Sequence, residues 1–315
     1  MSAVHIYTDW TGLKDVFKDI FVGLGNFDGI HVGHQKLISN LVRQARKAGG
    51  TSVVFTFVPH PLAILNPKGA PPLILPPDIK REMFAKLGVD VLLWVPFSLE
   101  FARLSPEDFI KQVLHEQLAV RTVLVGYNYT FGYKGRGTPE LLKEYGAHLD
   151  FAVEMLQPIK VDGQPVSSTL IRNMLADGKI SEARKYLGYA PIIKGQVVYG
   201  ESRGRTLGFP TANIEVAPDL LVPGNGVYSV TVNLEGKLHH GIANIGAKPT
   251  FHDNSFNRSI EVHILDFDGN LYDKEIQVCF IKRVRSEKKF SGVEELVQQI
   301  KNDIAQVRLD IKEES

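Results

Sequence analysis

Two histidines three positions apart, His31 and His34, close the stretch GNFDGIHVGH (Gly25–His34), which also carries Gly25, Gly29 and Gly33. At the start of a helix such a pair lies on one turn, beside unpaired backbone N–H groups and the positive end of the helix dipole. The glycines let a ligand approach the backbone closely. The set suits a triphosphate whose charge rises during phosphoryl transfer. A Gly-rich turn with two solvated histidines is the plainer alternative, and HxGH alone does not separate the two. Further on, Ser167–Arg172 (SSTLIR) offers Ser168 and Thr169 as helix caps and Arg172 as a cation for phosphate, or simply a cap beside a solvated arginine. In Pro210-Thr211-Ala212-Asn213, a hydroxyl and an amide carbonyl two positions apart share one side of an extended chain. Both are hard oxygen donors suited to Mg2+, although a proline turn entering a strand explains the same four residues.

These residues need elements to hold them. Phe21–Leu24 reads as a strand, and Leu37, Leu41, Ala45 and Ala48 as the apolar face of a helix stopped by Gly49–Gly50. Ser52–Phe57 and Val89–Val95 read as buried strands flanking a helix over Pro77–Leu87. Ser105 and Pro106 open a helix to about Leu118, before a strand at Thr122–Val125. This alternation predicts an α/β doubly wound parallel sheet, whose ligands lie beyond the carboxyl ends of its strands. Pro59-His60-Pro61 and Gly126–Gly132 (GYNYTFG) fall at two such ends, although a proline-locked turn and an aromatic loop explain each singly.

From about Ile192 the texture changes. Ile193–Tyr199, Val227–Leu234, Leu238–Ile245, Ser259–Leu265 and Glu275–Ile281 are spaced like strands of a small antiparallel β-barrel. Glu235–Gly236 and Asp268–Gly269 predict tight hairpin turns. Leu296, Ile300 and Ile304 mark a terminal helix. Pro67–Pro77 reads as a loop. The boundary falls after the short helical segment Ser181–Leu187, giving domains 1–187 and 188–315.

Two domains agree with 315 residues at roughly 150 per domain. Thirty-six Lys and Arg against 35 Asp and Glu, a formal charge of +1, argue against bulk nucleic acid or an anionic membrane as partner. The single cysteine, Cys279, can form neither an internal disulfide nor a Cys-rich zinc site. The start of the chain lacks the apolar core of a signal peptide, and no run approaches the roughly 18 apolar residues of a membrane span, so a cytoplasmic setting is expected.

Three further patterns fail on context. Gly200–Gly204 (GESRG) matches a nucleophile elbow around Ser202, but Gly208–Pro210 denies the helix that must follow. Gly23–Asp28 lacks the third glycine of a dinucleotide fingerprint, and no Walker sequence occurs. The basic run Lys282–Lys289 reads as a solvated face rather than an RNA surface.

Taken in order, GNFDGIHVGH, Pro59-His60-Pro61, GYNYTFG and SSTLIR resemble the adenylyltransferase module of the bacterial bifunctional riboflavin kinase/FAD synthetases, within the HxGH nucleotidyltransferase superfamily. GRTLGFPTANI, GIANIGAKPTF, SIEVHILDF and VRSEKKF resemble the riboflavin kinase module of the same proteins. The resemblance implies that His31 and His34 contact ATP and stabilise the transition state as pyrophosphate leaves. It puts Gly25, Gly33, His60, Asn128, Ser168, Thr169 and Arg172 on ATP- or phosphate-handling positions. In the second module it implies Thr211 and Asn213 as holders of Mg–ATP, Glu261 as base, and Arg285 bordering the flavin. A carboxylate beside a primary hydroxyl can orient it and take its proton. An isolated strand Glu more often simply faces water. The expected substrates are riboflavin, FMN and ATP, with FAD as final product and Mg2+ as cofactor. Val58, Tyr127, Tyr129 and Thr138 depart from the residues usual in the first module. An adenylyltransferase of single activity with a non-catalytic flavin-binding barrel stays open as an alternative.

Overall fold

The computed structural model describes residues 4–200, 204, 207–247 and 258–314. By packing, the chain forms two compact units, one running to Pro71 and resuming over Pro77–Ser167, the other joining Pro72–Pro76 to the residues from Ser168 onward. The packing division therefore differs from a cut after residue 187 by Pro72–Pro76 and by the two short helices that precede the barrel.

The first unit is a six-stranded parallel sheet. Its strands are β1 (His5–Tyr7), β2 (Ile20–Leu24), β3 (Thr51–Val58), β4 (Val91–Pro96), β5 (Val120–Gly126) and β6 (Ala152–Leu156). The spatial order is β1-β4-β3-β2-β5-β6, every pair parallel. The chain steps outward from β2 to β4, returns past β2 and continues to β6, so the order reverses between β2 and β5. In doubly wound sheets such a switch point is where ligands bind, outside the carboxyl ends of the strands.

Helices α1 (Leu13–Val16), α2 (Val32–Ala48), α3 (Pro61–Leu65), α4 (Pro77–Lys86), α5 (Pro106–Asp108) and α6 (Pro139–His148) fill the connections. Alternation along β2 builds both faces. A Cβ on Gly23 would press on Leu37 and Leu41 of α2 at 3.2 and 3.1 Å. Val22 and Leu24 turn the other way, into a cluster with Val53, Phe55, Phe109, Val113 and Leu142. The helix expected over Ser105–Leu118 has its cap, Ser105 Oγ accepting from the Asp108 N–H at 3.0 Å, but after Asp108 it winds as a π-helix over Phe109–Gln117.

The second unit opens with α7 (Ser168–Ala176) and α8 (Ile180–Leu187), preceded in the chain by the small hairpin of β7 (Lys160–Val161) and β8 (Gln164–Pro165), which belongs to the first unit. Its body is a closed antiparallel barrel of β9 (Ile192–Val198), β10 (Ala212–Val216), β11 (Gly226–Leu234), β12 (Lys237–Ala247), β13 (Arg258–Ile264) and β14 (Glu275–Arg285), ordered β10-β13-β12-β11-β14-β9 and sealed by β9 against β10. The sequence pattern predicts five strands. The sixth, β10, is the short strand that the proline turn of PTAN enters. Within the proline-rich loop, Pro72–Pro76 packs here: Leu73 exchanges backbone hydrogen bonds with Asp219 and Leu221 at 2.7 and 2.8 Å.

Glu235 and Gly236, with φ of 51° and 86°, make the expected tight turn between β11 and β12. Asp268–Gly269 does not. β13 and β14 are not neighbours, since β13 pairs with β10 and β12 while β14 pairs with β11 and β9, so their connection crosses the barrel end. The terminal helix α9 (Val293–Glu314) lays Val307 and Ile304 against Val227, Ile242 and Leu265.

Candidate active sites

In the first unit the switch point is occupied by the stretch that holds both histidines. The chain leaves β2 with the Gly25 N–H bonded to the Phe55 carbonyl at 3.3 Å, and passes Phe27, Gly29 and Ile30 at positive φ (48°, 76° and 31°). Buried Phe27 anchors the turn edge-on to Phe84 and His34. α2 then begins at His31, whose Nδ1 accepts the His34 N–H at 3.3 Å as a side-chain N-cap. A neutral ring accepting at Nδ1 keeps its proton on Nε2.

The two imidazoles stack, centroids 3.6 Å apart and planes 15° from parallel. Gly33 allows this, because a Cβ there would lie 3.2 Å from His31 Nδ1 and Cε1. Burial holds the His31 pKa down at about 4. His34 lies well below its ordinary value, first through burial and then through the positive charges its neighbours His31 and Lys80 would present. Its Nδ1 is sealed from solvent without a hydrogen-bond partner. Near neutral pH both rings are therefore uncharged N–H donors at a helix N-terminus.

Other expected residues sit at neighbouring strand ends. His60, after β3, caps α3 by accepting the Leu62 N–H at Nδ1, 3.2 Å. Asn128 is exposed in the turn after β5, where the Tyr129 N–H meets the Gly126 carbonyl at 3.1 Å. Thr138, one of the departures, caps α6 by accepting the Leu141 N–H at 3.3 Å. Ser168, Thr169 and Arg172 lie on α7 in the second unit; Ser168 is its first residue, and Arg172 Nε donates to the Pro72 carbonyl at 2.9 Å. Sequence reasoning passed over Lys80, which is 9% exposed and donates to the Asn26 carbonyl at 2.6 Å. Ile79 and the i, i+4 neighbour of Lys80, Phe84, are also buried, the trace of an inward-facing stripe.

In the barrel, Asn213 on β10 lies directly opposite Glu261 on β13, and Asn244 on β12 faces Glu261 from the other side. Along β13 the neighbours Ile260 and Val262 are buried in the core, which turns half-buried Glu261 to the outer face. Thr211 Oγ1 stands 3.4 Å from Glu261 Oε2. A hydroxyl, an amide and a carboxylate thus converge from PTAN and the SIEVHILDF strand. Their hard oxygen chemistry fits Mg2+, which is commonly held by one or two protein oxygens together with substrate phosphates. Arg285, at the end of β14, is gripped by buried Asp303 of α9 through Nε at 3.0 and 3.1 Å, and lies 5.6 Å from the centre of the Phe290 ring. Ser202 and the end of GIANIGAKPTF lie outside the described residues.

Comparisons with known proteins fall on the same two halves. The family described as FAD synthetase matches residues 14–170, and that described as riboflavin kinase matches 187–310. A bifunctional riboflavin kinase/FMN adenylyltransferase of Listeria monocytogenes is 40% identical, covering 94% of this chain and 92% of its own. The protein of that description from Bacillus subtilis is 38% identical, covering 96% of each chain, and that from Escherichia coli K12 is 37% identical over 89% of each. A crystal structure from Streptococcus pneumoniae described as a macrolide-efflux protein superposes with a TM-score of 0.86 at 33% identity, covering 98% of this chain and 99% of that one. Among the described residues of this chain no helix is long and apolar enough to cross a membrane. With both family matches in the order of the two units and with relatives similar along nearly the whole length, the chain belongs to the bifunctional riboflavin kinase/FMN adenylyltransferase family.

Proposed function

We propose that the chain carries out two consecutive ATP-dependent transfers, riboflavin to FMN in the barrel and FMN to FAD in the α/β unit. The observation that carries this reading is that each unit presents its own constellation: stacked, uncharged His31 and His34 at a sheet switch point in one, Thr211, Asn213 and Glu261 converging in the other. A riboflavin kinase match over 187–310 weighs against a barrel that merely binds flavin. It also supports a functional boundary near 187/188, with Ser168, Thr169 and Arg172 assigned to the adenylyl step.

In the barrel, Glu261 orients the riboflavin 5′-hydroxyl and accepts its proton as the oxygen attacks the γ-phosphorus, and ADP departs. Thr211 and Asn213 hold Mg2+ with ATP, and the ion supplies charge neutralisation at the phosphates. Arg285, fixed by Asp303, borders the flavin ring.

In the α/β unit, a phosphate oxygen of FMN attacks the α-phosphorus of a second ATP and pyrophosphate departs, with no covalent enzyme intermediate. The Nε2–H of His31 and the imidazole of His34 donate to the phosphate oxygens as charge develops, and the N-terminus of α2 adds its dipole. Gly25 and Gly33 let the triphosphate close on the backbone. His60 and Asn128 meet phosphate and nucleotide from neighbouring strand ends, and Arg172 supplies a cation. The substrates are small molecules, the setting is cytoplasmic, and no nucleic acid takes part.

The test separates the steps. Glu261→Ala abolishes FMN formation and leaves FAD formation from supplied FMN within about twofold, whereas His31→Ala does the reverse, losing FAD formation by about a hundredfold or more. Riboflavin, FMN and FAD are resolved chromatographically over time. Joint loss of both activities in a folded variant would break the division of labour.

A further inference from the structure

Lys80 takes no part in the steps above, yet its setting is built. A helical lysine ordinarily carries its ammonium out to water. Lys80 instead turns inward from α4: Nζ donates to the Asn26 carbonyl at 2.6 Å and to Thr56 Oγ1 at 3.4 Å, and lies 5.4 Å from the centre of the Trp94 ring. The Thr56 hydroxyl donates to the same carbonyl at 3.1 Å. Burying an ammonium is costly, and a carbonyl, a hydroxyl, an indole face and the charge of nearby Asp28 return only part of the lost hydration, so burial still holds the amine down at about 8. A purely structural position is filled more cheaply by an apolar side chain.

The held carbonyl is what makes the position informative. Asn26 begins the stretch in which Phe27 and Ile30, both non-glycine, adopt positive φ, a conformation that persists only where its surroundings enforce it. That stretch delivers His31 to the start of α2. The titratable groups facing Lys80 are Asp28 from the same stretch and His34 from α2, with His31 stacked on His34; β3 presents Thr56 and β4 presents Trp94.

We propose that Lys80 is a positioning residue for adenylyl transfer: its buried ammonium clamps the Asn26 carbonyl, fixes the entry into α2, and sets a positive charge behind His34 where the phosphates dock. The proposal rests on the FAD-forming reading of this unit.

The experiment uses the full chain with Lys80→Met, similar in length but uncharged, and Lys80→Arg. Lys80→Met keeps an unfolding temperature equal to or above that of the wild type. Its kcat for FAD from supplied FMN falls about tenfold or more, with the KM for ATP moving less than about threefold. FMN formation from riboflavin stays within about twofold. Because burial lowers the Lys80 amine to about 8, wild-type kcat declines above that pH as the proton is lost. Lys80→Arg, cationic throughout, carries the declining limb upward by about a unit or more. Wild-type kcat with an unchanged declining limb in Lys80→Met would overturn the proposal. Should the wild type itself form no FAD, the adenylyl-transfer reading fails and the His34 imidazole decides Lys80 separately. Its NMR titration midpoint rises in Lys80→Met when the charge behind it is removed, and an unmoved midpoint overturns the clamp.

Discussion

In the proposed reading His31 does two jobs with two nitrogens. Nδ1 closes the first turn of α2 by accepting the His34 N–H, and that bond leaves the proton on Nε2 for a ligand. The cap requires Nδ1 without its proton, hence an uncharged ring, and burial supplies it. Stability follows from the sign. The folded pKa of His31, about 4, is below the ordinary 6.5, so between those values the unfolded chain binds the extra proton and acid favours unfolding. Stability is therefore full above about pH 6.5 and drains as pH falls toward 4, by about 3 kcal/mol from His31, with His34 acting in the same direction. Denaturant titrations of the wild type and His31→Gln between those pH values check this: the variant loses much of the slope. The two histidines were legible because HxGH between a strand and a helix is a rare pattern with a chemical reason. Lys80 was not, because a lone lysine within a helical pattern has solvent as its ordinary destination, and only the fold reveals the carbonyl beneath it.

Elements were legible where the local pattern was strong and dim where a neighbour decides. Gly49 in the left-handed region stops α2, and Gly88 follows α4 in the same conformation, as the sequence implied. β6, half-buried at a sheet edge, and α6 behind it carry weak periodicity and went unread. Asp268–Gly269 has turn chemistry, but β13 and β14 find other partners, so a local signal was overruled by closure of the barrel. The closing seam is also where one atom should matter most. Gly195 of β9 lies opposite Val216 of β10, and a Cβ there would stand 2.2 Å from the Glu215 carbonyl oxygen. Backbone on both sides of the seam leaves little room to yield. Gly195→Ala should destabilise the barrel by about 1–3 kcal/mol, read as a lower thermal midpoint for loss of kinase activity. FAD formation from supplied FMN should keep its own midpoint, and a shared fall in both would show that the barrel does not unfold as a separate unit.

At the scale of the whole molecule, each unit has its own closed solution to burying a core. The parallel sheet is covered by helices on both faces, and the barrel leaves no open edge and is capped by α9. Length and charge balance implied two ordinary domains, and the motif order assigned them consecutive chemistry. Neither could reveal that Pro72–Pro76 and α7 pack with the barrel, since that depends on pairings such as Leu73 with Asp219 and Leu221, far apart in the chain. His31 and Glu261 belong to different units, so a chain defective in one step retains a complete set of residues for the other. A mixture of Glu261→Ala and His31→Ala chains should therefore convert riboflavin to FAD, although neither does so alone. FMN made by the second variant leaves into solution and is adenylylated by the first. The expected time course has a lag in FAD that shortens as total protein rises, because the intermediate must accumulate before it is captured. If the mixture makes FMN but no FAD, while the Glu261→Ala chain still converts added FMN, the product of the first step never reaches solution, and the two sites work as one.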